Sequence, residues 1–216
     1  MRSEILPKDQ NELSFIEAAR RAQIVECAIR AIATLGYGQA SLAQIAKLAG
    51  VSKGVISYHF ADKDELIEHV LREVLSEFEV YMRPRIQAQQ DAALMLRTYI
   101  KSNIAFMAAR RDYVLVLVDI FTNARRSDGQ PFTDPAGHEL GVKVLEVILR
   151  KGQRSGEFRE FNVHVMAVSI RQAIDGVSPQ LIADRALDLE AYAEELASIF
   201  DHATRSGARR KEEGSR

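Results

Sequence analysis

From Cys27 to Ala61 the chain of 216 residues has no acidic side chain, yet Arg30, Lys47, Lys53 and His59 fall in that interval and Lys63 lies just beyond it. Cations gathered without counter-charges attract polyanions, and the phosphate backbone of DNA is the polyanion such a patch commonly meets. The formal net charge is −1, so any nucleic-acid binding has to come from this local island and not from the chain as a whole. A few lysines also solvate ordinary helix faces, and charge alone leaves both readings open.

The elements that must present these cations are short. Ile24, Ala28, Ala31 and Leu35 recur at helical spacing and stop at Gly36, a residue able to take the left-handed cap. Ser41 then caps a helix over Leu42 to Ala49, and Gly50 breaks it after about two turns. Ser52 caps a third segment through Tyr58, where Gly54 and the β-branched Val55 and Ile56 make a poor helix in isolation, so tertiary packing must hold it. Asp62 and Glu65 form a capping-box pair, and Ile67, Leu71, Val74, Phe78 and Tyr81 carry a long amphipathic helix to about Pro84. Two short helices joined by a glycine turn make a helix-turn-helix pattern, although helical hairpins of this shape are also common packing units.

The residues within that pattern are more specific. Ser41-Leu42-Ala43-Gln44-Ile45-Ala46, Gly50-Val51-Ser52-Lys53-Gly54, Tyr58-His59-Phe60 and Lys63 to Leu66 together closely resemble the signature of the TetR family, over about residues 20 to 70. The remaining two thirds of the chain is similar only in length and helix count. The resemblance implies an all-α protein with a three-helix helix-turn-helix domain that binds DNA and a C-terminal helical domain that binds a ligand and dimerises. It also implies a long linking fourth helix, and a dimer interface built by the last two helices.

Carried onto this sequence, it makes Ser41, Tyr58, His59 and Lys63 phosphate contacts and turns Lys53, Gly54 and Ser57 toward the bases or groove floor, with Gln44 and Ser52 completing the DNA-binding set. Phosphate contacts fix register, and only side chains at base edges read sequence. Lys53 is the first candidate for base reading and serves equally well as a phosphate ligand. The sequence departs from the family pattern at Val55, where threonine is frequent, and at Ser57, where an aromatic is frequent, which shifts the backbone contact toward Tyr58. Ile45, Ala46, Val51, Ile56 and Phe60 are expected to form the small core beneath.

Beyond Pro84 helical periodicity continues from about Asp91 to Arg110 and again from Asp112. Ser127 to Gln130 make a turn, and Asp134 with Pro135 start a helix ending near Gly156. Another helix runs from near Asn162 to Asp175, where Gly176, Ser178 and Pro179 interrupt it, and a last one from Asp188 to Thr204. The expected organisation is a disordered arm over 1–12, a DNA-binding domain over 13–61, an effector-binding and dimerisation domain over 62–205 and a disordered tail over 206–216.

Asp119 interrupts the apolar stretch from Tyr113 to Phe121, so its carboxylate needs a partner to offset desolvation. It meets a cationic ligand, pairs with an arginine such as Arg171, or sits on the polar edge of its helix. Phe78, Met82, Phe106 and Phe121, with Asp119 and Arg171, are the candidate effector-binding residues, although apolar stripes of this kind also serve as core. Val165, Val168 and Ile170, then Leu189, Tyr192, Leu196 and Phe200, supply faces able to pair with a second copy.

None of His59, His69, His138, His164 or His202 has a glutamate three positions before it, and there is one cysteine, Cys27. These spacings argue against di-iron and thiolate zinc sites, so no catalytic role, metal or cofactor is expected. Glu4, Asp9 and Glu12 sit where a signal peptide needs a basic and then an apolar run, and no apolar stretch approaches the roughly 20 residues of a membrane span. The expected partners are double-stranded operator DNA, a second copy of the chain and an unknown small-molecule effector, with no membrane. The family resemblance implies a cytoplasmic location. The alternative reading is a DNA-binding regulator of the same fold controlled by a protein partner, without a small ligand.

Overall fold

The computed structural model describes residues 10–132, 135–184 and 186–207, with the side chains of 10–14 and 135–138 outside the description. These residues form ten helices: α1 (Gln10–Leu35), α2 (Leu42–Ala49), α3 (Lys53–His59), α4 (Lys63–Gln87), α5 (Ala92–Ala109), α6 (Arg111–Asn123), α7 (Pro135–Ser155), α8 (Val163–Asp175), α9 (Val177–Ala183) and α10 (Leu189–Thr204). The described residues make two compact units, one of residues 10–74 and 115–132, the other of 75–114, 135–184 and 186–207, and the chain passes from one to the other within α4 and within α6.

In the first unit α1 packs on α2 and α3. The caps act where the residue types require them. Ser41 Oγ accepts from Gln44 N and Ser52 Oγ accepts from Val55 N, each at 3.3 Å, and Gly50 closes α2 with φ +66°. Asp62 accepts from Glu65 N at 2.8 Å while Glu65 returns to Ala61 N at 2.7 Å, one residue further out than the usual reciprocal box. Ile24, Ile45, Ile56, Leu66, Ile67 and Phe60 are buried to 1% exposure or less and join the short helices into one core. Of the expected core, only Val51 stays half-exposed.

In the second unit α5 lies against α7, α8 and α10, α7 packs on α8, and α9 packs on α8. The interrupting cluster at Gly176 to Pro179 turns out to start a helix. Gly176 is the N-cap of α9 and Pro179 falls in the first turn, where its missing N–H removes no helical bond. Likewise α4 does not end at Pro84 but continues to Gln87. The carbonyl that loses its donor there belongs to Val80, which is exposed, and water can satisfy it.

The expected frayed ends differ as well. Gln10 to Glu12 are already helical, and Ser206 N donates to Glu157 O at 3.0 Å; residues 1–9 and 208–216, and Asp134, lie outside the described residues.

Candidate nucleic-acid interface

α3 has no acidic residue in its first turn, and its N-terminal turn is exposed around Ser52, Lys53 and Gly54. Ser41 and Gln44 on α2, and Ser57 and Tyr58 on α3, are also exposed. Tyr58 stands 74% open although its ring is large and partly apolar, an arrangement that makes sense for a side chain awaiting a partner. His59 is half-buried, with its ring edge-on to Tyr58 at 5.0 Å.

Lys63 is placed differently from the other expected phosphate ligands. Its ammonium donates to Tyr37 O at 3.0 Å and lies 3.9 Å over the Tyr37 ring, so reaching a phosphate means leaving that seat. Burial pushes its pKa down, opposed by the nearby Asp64 and Asp119 carboxylates.

The recognition segment is held from behind by Arg21. Its guanidinium donates to His59 O, to Glu65 Oε1 at 3.2 Å and to His69 Nε2 at 2.6 Å, and sits 4.5 Å over the Phe60 ring. One arginine on α1 thereby ties the end of α3 to the start of α4. The contact with His69 requires a neutral imidazole, since a protonated Nε2 has no lone pair to accept with. Burial, then Arg72 and Arg21, lower the His69 pKa, while Glu65 and Glu68 oppose them. A histidine with a depressed folded-state pKa is protonated first in the unfolded chain. Its contribution to stability is therefore complete above the ordinary value of about 6.5 and declines as pH falls from there toward the depressed one. The melting temperature should drop on acidification through that window, and His69→Gln should flatten the drop. An unchanged pH profile in the variant would remove His69 from the account.

The candidate effector residues fall in both units, Asp119 and Phe121 in the first and Phe78, Met82, Phe106 and Arg171 in the second. Asp119 belongs to the first unit, where its carboxylate accepts from Tyr37 N, under Gly36 at φ +79°, and from Asn123 Nδ2 at 2.7 Å. The pairing of Asp119 with Arg171 is not made. The desolvated carboxylate found a backbone donor 82 positions away, a partner that no local pattern announces. Phe121 also lies in the first unit and is partly exposed. Arg171, in the second unit, is buried and donates to Tyr99 Oη at 3.2 Å, Asn103 Oδ1 at 3.1 Å and Asp175 Oδ1 at 2.6 Å.

Phe106 is buried edge-on to Phe78 at 5.3 Å, and Met82 is buried. Phe106 also lines an open groove of about 310 Å³ formed with Glu77, Val80, Tyr81, Arg85, Ala109 and Arg110. In that groove Arg110 pairs with Glu77 at 2.7 Å, while Arg85 lies 3.6 Å over the Tyr81 ring and donates to Tyr81 O. Tyr81 is among the aromatic residues that suit an apolar pocket, whereas Glu77, Val80, Arg85, Ala109 and Arg110 carry no local signal, because they lie on the exposed or half-exposed faces of their helices and only their convergence marks them.

Two of the expected dimer faces are used within the protomer. Ile170, Leu196 and Phe200 are buried, which leaves Val165 on α8 and Ile199 on α10 as the exposed large apolar residues of those helices. Among the described residues no cluster of histidine, cysteine and carboxylates could hold a metal ion, and no helix is long and apolar enough to cross a membrane.

A capped pair of short helices with an exposed, acid-free second helix makes a helix-turn-helix, the arrangement in which DNA-binding proteins present a recognition helix. Residues 24–70 match the bacterial regulatory proteins of the tetR family. Over 76 residues it is 41% identical to the HTH-type transcriptional regulator BetI of Pseudomonas paraeruginosa, a match covering 35% of this chain and 39% of the relative. The chain thus spans less than half the length of the curated relatives it matches. A transcriptional regulator of Saccharomonospora viridis in complex with choline superposes with a TM-score of 0.76 at 22% identity, covering 88% of this chain and 99% of that one. The regulator FadR of Bacillus subtilis in complex with stearoyl-CoA gives 0.72 at 24% identity, covering 83% and 96%. At these identities the solved structures establish the fold.

Proposed function

We propose that the protein is a cytoplasmic transcriptional repressor that binds a palindromic operator as a homodimer and is released by a small-molecule effector. The observation that carries this reading is the exposed α3, with Lys53 opening it and Tyr58 closing it, inside the segment that matches the family. Ser41, Gln44, Ser52, Lys53, Gly54, Ser57, Tyr58 and His59 are the contact set we assign, with Lys63 recruited only if it leaves Tyr37. Val165 and Ile199 are the apolar residues we assign to the pairing of two copies, which would set two copies of α3 about 34 Å apart on successive major grooves.

We assign the effector to the groove at Phe106. Its volume is at the low end for ligand sites, which suits a small molecule. With Glu77 neutralised by Arg110, the charge of Arg85 is in surplus and favours an amphipathic acid over a cation. The relatives bound to stearoyl-CoA and to choline mark the two chemistries that this surplus distinguishes.

A mobility shift against the DNA upstream of the protein's own gene tests the reading. Wild type should retard it specifically, less so as salt rises. Tyr58→Ala should weaken all sequences alike, and Lys53→Ala should cost about ten-fold, within the range of one good contact. Octanoate should release the complex where choline does not. Retardation of no fragment at any salt would overturn the reading.

A further inference from the structure

The Tyr58 hydroxyl is already engaged. It donates to Glu17 Oε1 on α1 at 3.1 Å, and both side chains are exposed. Glu17 lies outside the acid-free interval and before the segment that matches the family, so neither the charge pattern nor the family match drew attention to it. Among the described residues no salt bridge of Glu17 is found, and its carboxylate stands beside the phenol we assign to the DNA backbone. The hydrogen bond to this carboxylate also pushes the phenol's pKa up, further from neutrality.

A phenol has one proton to donate. While Glu17 accepts it, an arriving phosphate oxygen meets a phenolic lone pair and, a hydrogen-bond length behind it, a second anion. Binding then has to break the Tyr58–Glu17 bond and bring two negative charges together in solvent. We propose that Glu17 is an affinity-setting residue of the DNA interface: an acidic brake that competes with the backbone phosphate for the hydroxyl of Tyr58. The proposal rests on the assignment of Tyr58 as a phosphate contact.

A brake of this kind lowers affinity for every sequence alike, because the group it opposes reads no bases. It holds down non-specific binding and leaves base contacts at the start of α3 to decide between sites. If Glu17 served only to orient the Tyr58 ring, the uncharged isostere would preserve orientation and change nothing, or would loosen the ring and weaken binding. The two roles therefore predict different signs for one substitution.

The test is the anisotropy of a labelled random-sequence duplex of about 30 base pairs, long enough for two half-sites, titrated with wild type, Glu17→Gln, Tyr58→Phe and the double variant at low and moderate salt. Glu17→Gln should bind about five-fold more tightly at low salt, with the gain shrinking as salt screens the removed charge. Tyr58→Phe should weaken binding, and in its background the gain from Glu17→Gln should be smaller, because the competition for the proton has gone and only repulsion remains. Equal or weaker binding by Glu17→Gln, or a gain independent of both salt and Tyr58, overturns the brake while leaving the DNA-binding function standing. Failure of wild type to bind any duplex overturns the function, and the brake falls with it. Both substitutions are at exposed positions, and matching melting temperatures will confirm that folding is unchanged.

Discussion

Gly152→Ala is expected to destabilise the protein by about 3 kcal/mol, although alanine ordinarily favours a helix interior over glycine by about 1 kcal/mol. Gly152 lies in the last turn of α7, and a methyl there would run into the Phe158 ring at Cδ2, Cε2 and Cγ. The chain turns at Gly156, with φ +75°, and lays the Phe158 ring back on the helix it has just left. Phe158 is buried at 4% exposure and its N–H donates to Gly152 O at 3.0 Å. That bond, and the neighbouring one in which Arg159 N donates to Thr204 O, pin the backbone that carries the ring, and its burial leaves little room for it to turn aside. The clash thus involves a fixed ring, and it outweighs the propensity gain.

Chemical denaturation measures the effect, and its cause is separable. Phe158→Ala alone should cost about 3–5 kcal/mol, as truncated core aromatics do. The two substitutions together should be less damaging than their sum, since alanine at 152 has nothing left to strike. Additive losses would mean that Gly152 matters for some reason other than the ring.

The parts of the fold that were legible in the sequence are those governed by neighbours in the chain. Ser41, Ser52 and Asp62 are caps whose backbone N–H donors lie three residues on, and Gly50 is a stop that depends on its own φ, so α2, α3 and the start of α4 could be placed from residue types. α9 was not legible, because Pro179 reads as a breaker unless it is known to fall in a first turn. Most of the candidate interface was legible for the same local reason. Glu17 was not, since its relation to Tyr58 spans 41 positions, and Asp119 was misplaced because its donor is the amide of Tyr37. Apolar periodicity shows that a face is buried without saying against what. This is why Ile170, Leu196 and Phe200 looked like interface residues and serve as the protomer's own core.

Asp175→Ala should be nearly as costly as Gly152→Ala, at about 3 kcal/mol, and more costly than removing the arginine it faces. Arg171 is 8% exposed, its Nη1 is shared between Tyr99 and Asn103, and its Nε is buried with no acceptor. Asp175 supplies the single carboxylate on this guanidinium, at 2.6 Å, and deleting it leaves a buried cation facing neutral acceptors only. Arg171→Met removes the charge and keeps much of the side-chain volume. Tyr99 then still has Gly141 O at 3.3 Å, no buried cation is left unpaired, and the loss should come to about 1–2 kcal/mol, set by the unsatisfied Asn103 carbonyl. The double variant should therefore be more stable than Asp175→Ala alone. Urea denaturation of the three proteins decides the matter: a double variant less stable than Asp175→Ala would show that Arg171 holds α5 and α8 together by its own hydrogen bonds, and that its charge is not what makes the aspartate necessary.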